Sequence, residues 1–250
     1  VQDVVVRYLS APPAEVKNEK SYLIRSVINQ AINAKTRSQK IVGEKTWLPE
    51  PVAPETADGK LYKNEILSYS LLVLLEKLNA KERAVFILKE AFDYSHDEIS
   101  SILSITEENS RKLLSRAKNK LSDFKSTDTK FSYDSTIAEK YYALIKNGDV
   151  QALEKLLAEE VSLTADGGGK VKVVREFLQG KRSVAELLLF AYDKFQRPLT
   201  PKFTEINHQP ALLYYHDKTV MICQVLETDD TGKVSAIYSV LDPDKLKNLP

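Results

Sequence analysis

Between residues 78 and 121 three short helical stretches follow one another with breaks of only three or four residues, and this spacing constrains the chain more than any other feature. The stretches at 81–92, 96–103 and 107–121 suit a helix-turn-helix, in which the last helix enters the major groove of DNA. Ile99, Ile102 and Leu103 on the middle stretch, with Leu113, Leu114 and Ala117 on the last, form the expected shared core. Thr106 is the expected N-cap of the last helix, with Asn109 at its third helical position.

The last stretch carries Arg111, Lys112, Arg116, Lys118 and Lys120, against Glu107 and Glu108 at its start. Acids at a helix N-terminus suit the macrodipole, and one of them can accept from a cytosine amino group in the groove. The basic residues beyond would neutralise phosphates and give a salt-sensitive affinity. Ser110, Arg111, Lys112, Arg116 and Lys118 are the residues expected to meet DNA. The plain alternative is a solvated basic face on an ordinary bundle, and the tri-helical spacing favours DNA. With a formal net charge of +1 the chain is no polycation, so nucleic-acid binding must come from such a local concentration.

Before this region, residues 1–9 and a second helix from about Lys20 show apolar residues at helical spacing, separated by Ala11-Pro12-Pro13. The chain enters in the middle of an amphipathic pattern with no N-cap before Val1, which implies sequence upstream. Residues 42–59 read as a linker, stiffened by Pro49 and Pro51. It holds Trp47, the sole tryptophan, expected to dock on a domain surface because an indole is poorly left in water. A bare spacer is the alternative. From Leu61 the chain reads as helix again, with Leu71-Leu72-Val73-Leu74-Leu75 as a buried segment closed by Asn79. Residues 125–133 read as a second linker.

After that the character changes. Helices are expected at 137–145 and 150–157, strands at 161–164 and 171–174 around an Asp166-to-Lys170 turn, and a helix at 184–195. Three further strands are expected at 211–215, 219–227 and 234–241, making an α+β domain with a curled antiparallel sheet. Cys223 is the only cysteine, which excludes an intrachain disulfide and a thiolate zinc site and fits a reducing cytoplasm. No apolar run approaches the roughly 20 residues needed to span a bilayer, and no membrane partner is expected.

The runs Leu78-Asn79-Ala80-Lys81-Glu82-Arg83-Ala84-Val85-Phe86, Phe92-Asp93-Tyr94-Ser95-His96-Asp97-Glu98-Ile99 and Ser115-Arg116-Ala117-Lys118 resemble region 4 of extracytoplasmic-function sigma factors. That region reads the −35 promoter element. Val1-Gln2-Asp3-Val4 and the stretch from Tyr22 to Arg37 are similar to the second half of region 2, which grips core polymerase and opens the −10 element. Trp47-Leu48-Pro49-Glu50-Pro51-Val52, Asp166-Gly167-Gly168-Gly169-Lys170 and Asp242-Pro243-Asp244-Lys245-Leu246, in that order, resemble the subgroup with a SnoaL-like C-terminal domain (sigma-J-like). Two departures stand out: the first half of region 2 is absent, and Ser38-Gln39-Lys40-Ile41-Val42 is poorer in arginine than relatives are.

The resemblance implies a multidomain protein: an all-α partial region 2 (1–42), a linker (43–60), a region 4 helix-turn-helix (61–125), a second linker (126–133) and an α+β SnoaL-like, NTF2-like domain with a curved antiparallel sheet (134–250). It implies RNA polymerase core and promoter DNA as partners, with no cofactor and no metal. Gln2, Asp3, Arg25, Asn29, Asn33, Lys35 and Arg37 fall where the family binds core and the −10 element. In the family the extension controls the sigma domains in cis. The Asp166–Lys170 turn and the Asp242–Leu246 tail are therefore expected to contact Trp47 to Val52 as a regulatory interface. A rival is a ligand sensor, with a small molecule in the C-terminal pocket. A more distant rival is a cyclase or isomerase using Asp166, His208, Tyr214 or His216, and the lack of paired carboxylates or metal-ligand spacing argues against it.

Overall fold

In the computed structural model residues 2–10, 18–42, 46–54, 68–121 and 135–250 are described. They divide into two units, residues 1–44 with 74–125 and residues 45–73 with 126–250. No helix among the described residues is long and apolar enough to cross a membrane.

The first unit is all helical. Helices α1 (Gln2–Ser10) and α2 (Glu19–Val42) are joined by the tilted Tyr8–Tyr22 ring pair, 5.7 Å between centroids, and by a 3.4 Å hydrogen bond from Gln30 to Asp3. Helix α3 (Tyr69–Leu75) spans the division, its residues 69–73 belonging to the second unit; Tyr69, Ser70 and Leu75 are buried, while residues 71–74 are only half-buried. The expected helix at 61–67 lies outside the described residues, as does the linker at 126–133. Asn79, expected to close α3, instead starts the next helix. Its side chain accepts from Lys81 and Glu82 N–H, and Glu82 reaches back to the Asn79 N–H, a reciprocal cap on α4 (Ala80–Phe86). Helix α4 runs into a wider i→i+5 turn, Ile87–Ala91, which Phe92 and the left-handed Asp93 end. Then come α5 (His96–Leu103) and α6 (Glu107–Lys120). Val85, Leu88, Ile99, Ile102 and Leu113 form the core, and Ile24 and Ile28 of α2 pack against it.

The second unit is α+β. Helices α7 (Ser135–Asn147) and α8 (Val150–Leu156) lead directly into strand β1 (Leu157–Asp166). Strand β2 (Phe177–Gln179), helix α9 (Lys181–Ala191) and a wide turn (Tyr192–Gln196) follow. The chain ends with β3 (Thr200–Ile206), β4 (Gln209–His216), β5 (Thr219–Thr228), β6 (Val234–Val240) and the short helix α10 (Pro243–Leu246). The sheet order is β2-β1-β6-β5-β4-β3. Among the described strands every pairing is antiparallel, as expected of the sheet, except β1 with β6, which is parallel. Register irregularities in three of the pairs supply the local twist that curves such a sheet.

Two sequence expectations are corrected here. Residues 171–174 form no strand: Lys170 and Val171 N–H both turn back onto the Gly167 carbonyl, and pairing with β1 resumes only at Phe177. Strands β2 and β3 were not among the expected strands, and β3 carries Pro201 within it. It is an edge strand, where a residue lacking an N–H is tolerated.

Alternating side chains send the strands to opposite faces. Leu212, Tyr214, Ile222, Leu226 and Ile237 face the core shared with α7, α8 and α9. Leu213, Cys223, Val225, Tyr238 and Val240 face a second core, completed by Leu48, Ala53, Tyr69 and Leu246. The sheet is thus covered on both faces, on the second by segment 46–54, the start of α3 and α10.

Candidate functional site

Helix α5 begins with the Ser95–Glu98 reciprocal cap and ends at Ser104, whose left-handed backbone (φ 52°) turns the chain. Thr106 then accepts from Asn109 N–H at 3.1 Å and starts α6. Helix α6 buries Ser110, Leu113 and Ala117 on one face and exposes Arg111, Lys112, Arg116, Lys118 and Lys120 on the others. Arg111 and Lys112 pair with Glu107 and Glu108 one turn earlier, at 2.5 and 2.7 Å. Lys118 pairs with Glu90, and Lys120 with the nearly buried Glu82. Arg116 is exposed and in no ion pair among the described residues.

Ser110 is a correction. It is fully buried, and its hydroxyl lies 2.8 Å from His96 Nδ1, so it ties α6 to the start of α5 instead of facing a groove. Burial pushes the His96 imidazole down from its ordinary value, and the charges of Arg111 and Lys89 push the same way. A histidine that binds its proton more readily when unfolded contributes stability fully above about pH 6.5, lost as pH falls towards its folded value. The first unit should therefore unfold in less urea at pH 5.5 than at pH 7.5. The His96→Gln variant should show a smaller difference. Glu98, held low by hydrogen bonds from Ser95, titrates further down and does not enter this window.

Of the residues expected to meet core polymerase and the −10 element, Gln2 and Asp3 are exposed on α1, and Arg25, Asn29 and Asn33 on α2. The side chains of Lys35 and Arg37 lie outside the described residues. Lys20, which the sequence reading did not single out, stands over the Tyr94 ring at 5.4 Å and links α2 to the helix-turn-helix.

In the second unit the three motifs come together. Asp166 is 3% exposed; its Oδ1 accepts from Gly168 N–H at 2.7 Å, and its Oδ2 from Leu48 N–H at 2.8 Å and Lys245 Nζ at 2.6 Å. Lys245 also donates to the Leu48 carbonyl at 2.6 Å and lies 4.3 Å from the centroid of the Trp47 ring. Leu48, not Trp47, is the inserted side chain: Leu48 is fully buried while Trp47 stays 44% exposed, lying over the ammonium. An extended segment buries backbone that needs partners. Pro49 and Pro51 have no N–H to satisfy. The Pro49 carbonyl accepts from Tyr69 OH at 2.7 Å, and Val52 exchanges two hydrogen bonds with Asn207. Asn248 reaches Glu50, and Thr46 reaches Glu176.

Two glycines make the close approach possible. A Cβ at Gly167 would lie 1.9 Å from the Val171 carbonyl oxygen, and one at Gly168 would lie 2.2 Å from the Asp242 carboxylate. Gly168 also has φ +61°, and Gly169 follows it with positive φ. Asp242 caps α10 by accepting from Asp244 N–H, with Pro243 in the first turn. Lys170 and Asp244 form an exposed ion pair, and Leu246 is buried in the second core.

The other polar candidates do not converge. Asp166 faces the linker, His208 pairs with Glu205 at the β3–β4 turn, and His216 is exposed at the far end of β4. The Tyr214 hydroxyl is buried without a hydrogen-bond partner among the described residues, and burial pushes its pKa well up. No group of three potential metal ligands occurs among the described residues. Asn207, Gln209 and Tyr69, which hold the linker and α3 to the sheet, were not singled out by sequence. The only signal at Asn207 is a residue type that tolerates the left-handed turn it adopts (φ 49°).

The family model described as Sigma-70, region 4 matches residues 68–121, the segment holding α3 to α6. This segment is a sigma-70 region 4. The likeness extends beyond region 4 to the whole chain. The ECF RNA polymerase sigma factor SigJ of Mycobacterium tuberculosis is 23% identical over 271 residues, covering all of this chain and 85% of that protein. The crystal structure of SigJ from the same organism superposes with a TM-score of 0.75 at 22% identity, covering 100% of this chain and 90% of that one. The fold implied by the sequence resemblance, a helical N-terminal part with a sigma region 4 followed by an α+β domain, is the fold found.

Proposed function

We infer that the protein is an RNA polymerase sigma factor that directs promoter-specific initiation, with region 4 reading the −35 element. The observation that carries this reading is α6: a capped helix on a sigma-70 region 4, buried along one face and basic along the exposed remainder. Its partners on this reading are core polymerase and promoter DNA, and its site of action is the cytoplasm. Arg111, Lys112, Arg116 and Lys118 are the proposed DNA contacts. Gln2, Asp3, Arg25, Asn29, Asn33, Lys35 and Arg37 are the proposed contacts to core and the −10 element. The second unit acts on the sigma regions by holding the linker rather than by catalysis, which agrees with the scattered placement of Asp166, His208, Tyr214 and His216.

Arg116 is the cation with least to give up on meeting a phosphate. Arg111 and Lys112 exchange exposed ion pairs, each worth about 0.3–0.5 kcal/mol. Replacing Arg116 with alanine should weaken binding to a promoter fragment. It should also reduce the slope of log affinity against log salt by about one, since one phosphate contact is lost. An unchanged slope would remove Arg116 from the interface. Lys120→Ala should act differently, destabilising the first unit by stranding the buried Glu82 carboxylate.

A further inference from the structure

Strand β1 ends at Asp166 and β2 begins at Phe177, and residues 167–176 between them curl around a hollow of about 520 Å³. The Ala165 N–H closes the neck of this loop by donating to the Glu176 carbonyl at 2.8 Å. The Gly167 carbonyl draws in its first turn, accepting from Lys170 and Val171 N–H at 2.9 Å each. Thr46, Asp166, Lys170, Lys172, Arg175 and Glu176 give the hollow a polar lining. Their charges are unevenly committed. Asp166 already holds Lys245 and two N–H groups, and Glu176 accepts from the Thr46 hydroxyl at 3.0 Å and the Thr46 N–H at 3.4 Å. Lys172 and Arg175 are exposed and in no ion pair among the described residues. Lys170 meets Asp244 in an exposed pair, of the kind that contributes little. Both carboxylates of the lining are thus engaged, and three cations remain to attract an anion. The backbone adds to this: Gly168 and Gly169 have φ of 61° and 74°, and Gly169 is exposed, so a ligand can approach the main chain with no Cβ in the way. Turned peptide groups of this sort make concavities that hold anions.

We propose that this loop binds a small phosphate monoester, its dianion held by Lys172 and Arg175 with Lys170 beside the glycine turn, and its organic part in the hollow next to Thr46. Two unpaired cations match the two charges of a monoester, whereas a carboxylate leaves one of them unmatched. The volume lies within the roughly 300–1,000 Å³ usual for small-molecule sites. Occupancy bears on the linker as well, since the loop starts at Asp166, which holds Leu48, and ends at Glu176, which holds Thr46. Any consequence for transcription rests on the sigma-factor reading; binding does not.

The test titrates the intact protein with glycerol 3-phosphate at constant ionic strength, following melting temperature and the emission of Trp47, the only tryptophan. The melting temperature should rise saturably. The emission should change, because Thr46, next to the indole, lines the hollow. Inorganic phosphate should bind more weakly than the ester, and lactate, with a single charge, about tenfold more weakly. Arg175→Gln should weaken the ester by about tenfold, the loss of one charge-assisted contact, and Lys172→Gln likewise. Lys218→Gln removes an exposed cation outside the hollow and should leave binding unchanged. No saturable response to the ester, equal binding of lactate, or equal weakening by Lys218→Gln would each overturn the site. Inorganic phosphate binding as tightly as the ester would overturn the assignment to a monoester. Saturable binding with unchanged Trp47 emission would overturn the placement beside the linker. Because all readouts use the protein alone, a failure here is distinct from a failure to direct transcription.

Discussion

Replacing Asp166 with alanine is expected to destabilise the second unit by about 3–5 kcal/mol, the range for removing one partner of a buried ion pair. The side chains involved are 3% exposed for Asp166 and 12% for Lys245, so the ammonium left behind has little water to turn to. Leu48 and Gly168 N–H would lose their acceptor at the same time. Asp166→Asn keeps an acceptor and should fall between wild type and alanine. Lys245→Met removes the stranded charge, so the Asp166→Ala, Lys245→Met double variant should be less destabilised than the sum of the two single variants. Urea denaturation followed by Trp47 emission reads the linker contact directly, because the indole lies over Lys245. Single and double variants all within about 0.5 kcal/mol of wild type would mean that the contact contributes nothing to stability.

The second large effect is expected at Gly168. A left-handed conformation carries a penalty of roughly 1–2 kcal/mol for a residue with a Cβ, and here the Cβ would also overlap the Asp242 carboxylate. Gly232 supplies the control: its φ is +76° but nothing lies within 4 Å of the added atom. Gly232→Ala should lose about 1 kcal/mol by strain alone. Gly168→Ala should lose at least about 2 kcal/mol more, since Asp242 must move and with it the cap of α10. Equal losses at the two positions would show that Asp242 yields without effect.

The helix-turn-helix was legible because its information is local: Thr106 caps α6, and Ile99, Ile102, Leu113 and Ala117 recur at helical spacing. Ser110 was misplaced because burial of a serine depends on its partner, and His96 stands fourteen residues away. The antiparallel hairpins β4–β5 and β5–β6 were read from alternation and turns. The parallel β1–β6 pair was not, since it joins residues more than seventy apart and leaves no local trace. Unbroken apolar runs such as Ala211-Leu212-Leu213-Tyr214 and Ile222-Cys223 did carry a signal that both faces of the sheet are covered. Segment 46–54 provides part of that cover. Trp47 docks on the domain surface as expected, its indole against the Lys245 ammonium, while the smaller Leu48, which was not singled out from its neighbours, fills the core.

On the function proposed above, this chain directs initiation and the hold of its second unit on the linker sets how well it does so. The measurement that tests it most directly is run-off transcription from a cognate promoter by core polymerase, comparing the intact protein with its Lys245→Met variant at a temperature where both are folded. Promoter-specific transcripts that depend on the protein are expected, with a several-fold change in yield when Lys245 no longer ties Leu48 to Asp166. Equal yields from the two proteins, or no protein-dependent transcript from either, would contradict it.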